Sequence, residues 1–280
     1  MLDWLGVWAD GLWNWVAIVF FLGLAAWETV KPARRLDRSA ASRWFTHIGF
    51  HAINTSIVAV LGPAALVEAL IRNIGIPPGP FVLLDKADDY WALIIGLVLL
   101  DLYAYAIHRV QHQVFVLWRF HAVHHADVDM DASTTFRHHP AEVLTIALIG
   151  AVAFSLLGVP EWIFPVYALV AIVVSLVQHV NAGEVGKLDH ALQWILVTPG
   201  MHRIHHSADA ADGGTNFGMV LSLWDWIFRT YRSEPEAGRA AMAYGVEPYT
   251  ASEFARMRWA WLLPFAIRPA SATASVGHAD

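Results

Sequence analysis

The sequence predicts an all-α integral membrane protein, a helical bundle of four to five spanning or hairpin helices with histidine-rich segments on its cytoplasmic side. Three observations carry this. Of 280 residues, 57% are hydrophobic and 15% charged, whereas soluble domains carry about 25% charge. Long apolar segments recur along the first two thirds of the chain. Fourteen tryptophans suit a protein with two membrane interfaces.

In chain order, the first apolar segment runs from about Trp13 to Trp27, the second from about Phe45 to Leu70, and the third from about Trp91 to Ile107. A span needs about 20 apolar residues, so the first segment is of marginal length unless its flanking tryptophans count. The stretch Val143 to Val180 is too long for one crossing, and VPEWIFP at 159–165 interrupts it. Pro160 and Pro165 predict a helical hairpin with its tip there. Beyond Asn181 the chain is more polar, with a Gly-rich turn (ADGGTNFG, 211–218), an aromatic stretch (LWDWIFRTY, 223–231) and an Ala/Ser-rich tail expected to be disordered. This divides the chain into N-terminal membrane helices with a basic loop (1–100), a histidine-rich core containing the hairpin (101–232), and a C-terminal cytosolic segment with its tail (233–280). No solenoid period is present. The N-terminal MLDWLGVWADGLWNW has neither a basic n-region nor a small-residue cleavage site, so it does not read as a signal peptide.

Orientation follows from the basic residues. The loop at 31–43 carries Lys31, Arg34, Arg35, Arg38 and Arg43, which places it in the cytoplasm. The second segment then leads out and the third returns, bringing residues 108–139 back to the cytoplasmic side. The hairpin goes out and back, so His179 and the chain after it lie on that side too. The protein is thus expected to be multi-pass, in a bacterial inner membrane or, in a eukaryote, the endoplasmic reticulum, with its active site facing the cytoplasm.

Composition also excludes classes of function. The net charge of −6 comes without a basic stripe, so no nucleic-acid partner is expected. There is no cysteine, which rules out disulfides, thiolate-ligated haem and cysteine-held clusters and leaves nitrogen and oxygen as metal ligands. No GxGxxG follows a strand, and Gly213-Gly214 is a turn rather than a nucleotide loop.

Three histidine clusters stand out: His108-Arg-Val-Gln-His112, His121-Ala-Val-His124-His125 and His202-Arg-Ile-His205-His206. Each has i,i+4 spacing and the last two add i+3, so on helices the rings share a face and can converge. A lone histidine on an apolar face is more often a hydrogen-bonded core residue than a ligand, and one HxxHH can arise by accident. Two copies with an HxxxH at a membrane edge point to metal. Eight histidines exceed one four-coordinate zinc site, so two metal ions sharing them, with one or two further ligands, is the economical reading. His179 ends a returning helix on the correct side and can complete a coordination sphere. Either His138 or His139, in TTFRHHPAE, can do the same. His47 and His51 fit a structural or interfacial role. Asp101 lies seven residues before His108 on the same helix face, with Tyr105 between them. An acid within a span needs a partner, and a ligating imidazole would be one; a tyrosine or arginine would serve equally. Arg137, Asp127 and Asp129 read as a solvated surface network. LWDWIFRTY reads as an interfacial aromatic belt or a packing seam.

In order, HRVQH, LWRFHAVHH, TTFRHHPAE, VQHVN, LVTPGMHRIHHS, TNFG and LWDWIFRTY resemble the fatty acid hydroxylase/sterol desaturase superfamily over roughly Asp101 to Tyr231. The resemblance implies spanning helices under a cytosolic histidine-rich helical cap, and a pair of iron ions, with zinc possible in isolated protein. It further implies a lipid hydroxylase or desaturase that uses O2 and electrons from an external donor of ferredoxin or cytochrome b5 type with its reductase. By the same resemblance His108, His112, His121, His124, His125, His202, His205 and His206 are ligands. His139 is favoured over His138 by Arg-x-His-Pro, and His179 is supported by His-x-Asn, which brings in Asn181 alongside Asp101 and Tyr105 as supporting residues. Ala106 departs from the aromatic residue common before x-His-Arg. Sterols, fatty acyl chains, ether lipids and carotenoids all fit as membrane lipid substrates. Two other functions compete. A metal transporter would place its ligands near the bilayer midplane. A zinc-dependent hydrolase would want an HExxH-type glutamate, which the chain lacks.

Overall fold

The computed structural model describes residues 3–36, 39–77, 79–86, 89–183, 186–250 and 256–268, with side chains from residue 15 onward except at 85, 86 and 89. It is all-α, with no strand among the described residues, and three helices are long and apolar enough to cross a membrane. These are Ala40–Asn73, Tyr90–Gln113 and Pro140–Leu157, joined by two shorter apolar helices, Trp15–Val30 and Ile163–His179.

Helix α1 (Asp3–Val30) is followed by α2 (Ala40–Leu61) and α3 (Pro63–Asn73). The candidate span Ala40–Asn73 thus consists of two consecutive helices divided at Gly62. Gly62, at φ +49°, closes α2 through its N–H to Val58 O, and Pro63, which lacks an N–H, starts α3. Helices α4 (Asp89–Gln113), α5 (Phe115–His125), α6 (Pro140–Leu157) and α7 (Ile163–His179) follow. The hairpin tip lies between α6 and α7 as the two prolines require, with Gly158 at φ +77° closing α6. After α7 come α8 (Lys187–Leu192), α9 (Pro199–His205), α10 (Ala210–Gly213), α11 (Leu223–Ile227) and α12 (Met257–Ala266).

Small apolar clusters hold the bundle. Leu100 of α4 packs with Phe154 of α6 and Ile163 of α7, and Phe21 and Leu24 of α1 pack with Leu176 and Val180. Phe50 of α2, Val123 of α5 and Leu263 of α12 form a third cluster. The C-terminal segment thus contributes a packed helix, α12, seated on α5. The tail expected to be disordered lies outside the described residues. The C-terminal ends of α4, α5 and α7 meet α9 at one end of the bundle, and the histidines are there.

The charges read as a solvated network are instead buried: Asp127 and Arg137 are fully inaccessible and Asp129 nearly so. Arg43 pairs with Asp131, Thr134 Oγ1 donates to Asp127 (2.6 Å), and His47 Nδ1 lies 2.8 Å from Ser133 Oγ. Burial alone would raise the Asp127 pKa, but His47, Arg43 and Arg137 hold it well below the usual carboxylate range. Spacing alone does not reveal this, because the partners come from α2 and from the loop before α6.

Candidate metal centre

The histidine-bearing helices start where their sequences direct. Thr198 caps α9, its side chain accepting from Met201 N, and Pro199 takes the first turn. Asp189 accepts from Thr198 Oγ1 (3.0 Å) and Gly200 N (3.0 Å), fixing that turn against α8. The segment opposite is held by Asp225, which accepts from Phe217 N (2.8 Å), Gly218 N (2.9 Å) and Thr230 Oγ1 (2.7 Å). A Cβ at Gly218 would lie 2.6 Å from Val197 Cγ2, so only glycine fits there.

Two groups of imidazole nitrogens result, each with its ligand atoms within 4.8 Å of one another. One comprises His108 and His112 of α4, His121 and His125 of α5, and His205 of α9. The other comprises His124, His179, His202 and His206. The groups adjoin, with the His125 and His206 rings stacked at 4.4 Å. Each HxxHH motif is split between them. His121 and His125 go to the first group and His124 to the second, whereas His202 and His206 go to the second and His205 to the first. On a helix, i+4 lies about 40° from i on one side and i+3 about 60° on the other, so the pair converges and the third ring points elsewhere.

Hydrogen bonds fix which nitrogen of several rings is free. Carbonyl and carboxylate oxygens only accept, so Nδ1 donates in His108 to Phe217 O (2.9 Å), in His205 to Thr215 O (2.8 Å), in His179 to Ser175 O (2.8 Å) and in His121 to Glu142 Oε1 (2.7 Å). With Nδ1 so engaged, Nε2 of each ring faces into its group. The Nε2 atom of His179 lies 3.2 Å from that of His124 and 3.0 Å from that of His202, and His121 and His125 approach likewise at 3.1 Å. His112 Nε2 and His205 Nε2 are buried without a hydrogen-bond partner. Clustered nitrogen lone pairs repel and leave buried acceptors unmet; a cation at the centre of each group relieves both. The donor set, all imidazole, suits iron, zinc, copper or nickel. Burial holds His124, His125, His202 and His206 neutral, their pKa values pushed well below 6.5 and further lowered by the neighbouring histidines.

Of the predicted ligands, the structure brings together His108, His112, His121, His124, His125, His179, His202, His205 and His206. His139 lies outside both groups: its Nδ1 caps α6 by accepting from Ala141 N (3.1 Å), and its ring sits between Phe120 and Trp261. His138 stacks on His124 at 4.4 Å and faces Glu142 Oε1 at 3.2 Å. Glu142 was not singled out in the sequence. Buried at the start of α6, it also accepts from Gln111 Nε2 (3.0 Å). Asp101 does not touch a ring of either histidine group. It accepts from Tyr167 OH, Val220 N, Leu221 N and Trp224 Nε1 at 2.8–3.1 Å, tying α4 to the segment whose Phe217 carbonyl orients His108. Tyr105 OH pairs with Thr230 Oγ1 (2.9 Å), and Asn181 exchanges hydrogen bonds with the Arg34 backbone. Both hold loops and make no hydrogen bond to either histidine group.

Residues 93–230 match the family model described as fatty acid hydroxylase. The match covers just under half of the chain. Among curated proteins, the ornithine lipid hydroxylase OlsE of Rhizobium tropici is 34% identical over 152 residues, covering 52% of this chain and 45% of that protein. The alkylglycerol monooxygenase of Homo sapiens is 28% identical over 149 residues, covering 53% and 32%. The very-long-chain aldehyde decarbonylase GL1-5 of Oryza sativa subsp. indica is 26% identical over 134 residues, covering 45% and 21%. The chain thus spans less than half the length of these relatives. No solved structure matches it significantly. The matched region runs from within α4 through α11 and contains both histidine groups.

Proposed function

We propose that this chain is an oxidoreductase of the fatty acid hydroxylase kind that hydroxylates a C–H bond of a membrane lipid, using O2 and electrons from a separate donor protein, with its active site on the cytoplasmic side. The observation that carries the reading is the pair of adjoining, all-imidazole groups at the end of an apolar helical bundle. Iron is the metal favoured by the family and compatible with the donors. His108, His112, His121, His125 and His205 would hold one ion, and His124, His179, His202 and His206 the other. The bound metals supply the O2 activation that unactivated C–H bonds require.

The chain's own residues do the rest. Phe217 O, Thr215 O, Ser175 O and Glu142 hold four rings in the tautomer that presents Nε2 inward. Trp118, with its ring 4.9 Å from His112 and 5.4 Å from His125, covers the first group and helps exclude water. The ornithine lipid hydroxylase and alkylglycerol monooxygenase names favour a lipid with a polar head as substrate. Desaturation is the second outcome of the same chemistry.

Metal analysis combined with anaerobic reduction tests this. About two irons per chain, with O2 consumed only after reduction and a hydroxylated lipid appearing in membranes that express the protein, support it. One tightly held zinc and no O2 consumption sink it.

A further inference from the structure

The aromatic stretch at 223–231 plays no part in ligation, yet it is built onto a membrane helix. We propose that Trp194, Ile195, Leu223, Ile227 and Phe228 form a surface that inserts into the lipid bilayer beside α4, an in-plane anchor made by the segment between α8 and the C-terminal region. These five side chains are 65%, 64%, 45%, 54% and 44% exposed, and scattered single residues of this kind would need no explanation. They are not scattered. Trp194 stacks on Trp226 at 4.5 Å with 4° between planes, and Ser222 N donates to Ile195 O (3.1 Å). A bridge between Leu196 and Leu221 joins the two strips. Contiguous apolar surface of this kind marks a partner, a membrane or a ligand.

Asp101 decides among these by setting the depth. Its carboxylate binds Val220 N, Leu221 N and Trp224 Nε1, so α11 is fastened to α4 at that residue. Asp101 lies seven residues before His108, about 10 Å along the helix axis, and is the sole charged residue between Trp91 and Ile107. The patch therefore sits inside the apolar stretch of a candidate span, not beyond its end. Val98, one turn deeper on the same face of α4, is 40% exposed, so the patch continues the helix's own lipid-facing side. In-plane segments bury their apolar faces about 5–10 Å into the boundary between headgroups and acyl chains, with Trp and Phe prominent; the depth and the residue types both match. A soluble partner protein would have to displace lipid to reach this level.

The placement has a consequence for the reaction. The Phe228 ring, part of the inserted surface, stacks on Tyr105 at 5.2 Å. Tyr105 meets Phe217 edge-on at 6.4 Å, and Phe217 lies 5.1 Å from His112. Three aromatic rings thus separate the acyl region from the first histidine group. The insertion itself does not depend on metal binding.

The chain contains no cysteine, so single-cysteine variants of the full-length protein can carry a nitroxide label. L223C and I227C report the patch, with V98C as the span and A237C, at an exposed position of the C-terminal region, as the water-facing reference. Leu223 and Ile227 are about half exposed, so the labels leave the core intact. The proteins are reconstituted in phosphatidylcholine/phosphatidylglycerol vesicles, and collision with O2, which concentrates in lipid, is compared with collision with a water-soluble nickel chelate. Labels at 223 and 227 are expected to favour O2 as at 98, and to lose the chelate accessibility seen at 237. Chelate accessibility equal to that at 237 overturns the proposal. Shielding from both reagents also overturns it, and would assign the patch to a protein partner or a second copy.

Discussion

His124 and His125 are consecutive in the chain, yet their rings stand at 87° with centroids 5.6 Å apart, and they enter different histidine groups. Adjacent positions on a helix diverge by about 100°, and the second HxxHH crosses the same divide in reverse order. Replacing either residue is therefore expected to empty one group and spare the other. His125→Ala and His124→Ala should each lower bound metal from about two ions per chain to about one, with membrane insertion unchanged. Elemental analysis of the purified variants checks this. Loss of both ions from both variants would mean that the groups do not bind independently.

The split shows what spacing can convey. An i,i+4 pair such as His202 and His206 is legible because helix geometry alone brings the rings together, and the apolar runs and the proline-marked tip of the hairpin are legible for similar local reasons. Assigning His205 to the group of His108 requires knowing that α9 packs across the end of α4. His139 and His138 differ by a single extended residue at an N-cap, which turns one ring toward Ala141 N and leaves the other on His124. Glu142 did leave a signal, an acid in the first turn of an apolar helix. A buried acid in a span needs a partner, and that requirement marks Glu142 as it marks Asp101.

Glu142 is expected to govern the first group through His121. A carboxylate that accepts from the distal nitrogen of a ligating histidine fixes its tautomer and raises its basicity. Glu142→Gln keeps the shape but removes the charge, and should weaken metal affinity by about 10–100-fold, measured by chelator competition. A full-affinity variant would show that His121 is oriented by packing alone.

Without metal, the protein should be acid-sensitive. The folded-state pKa values of His124, His125, His202 and His206 are depressed by burial and by one another. The unfolded chain therefore takes up protons below about pH 6.5 that the folded chain refuses. Stability conferred by these neutral rings is complete above that pH. It falls as pH drops until the depressed values are reached. Thermal unfolding of chelator-treated protein in detergent from pH 7.5 to 5 is expected to show a steep loss. A flat profile would mean that water reaches these rings.

Asp101 is expected to matter for architecture before chemistry. It is 2% exposed and satisfies four donors, on α7, α11 and the backbone before α11, from one position on α4. Asp101→Leu would leave Val220 N, Leu221 N and Trp224 Nε1 without their acceptor, and each orphaned buried donor costs roughly 1–3 kcal/mol. A loss on the order of 3 kcal/mol or more is expected, read as a lowered Tm. Because Phe217 O lies at the start of the same segment and holds His108 Nδ1, the surviving folded fraction should also bind metal less tightly in the first group. Asp101→Asn keeps an acceptor oxygen but replaces the other with an amide that cannot accept, so its loss should be smaller. If Asp101→Leu lowered metal affinity without lowering Tm, the carboxylate would act on the ligands directly instead of through the loop.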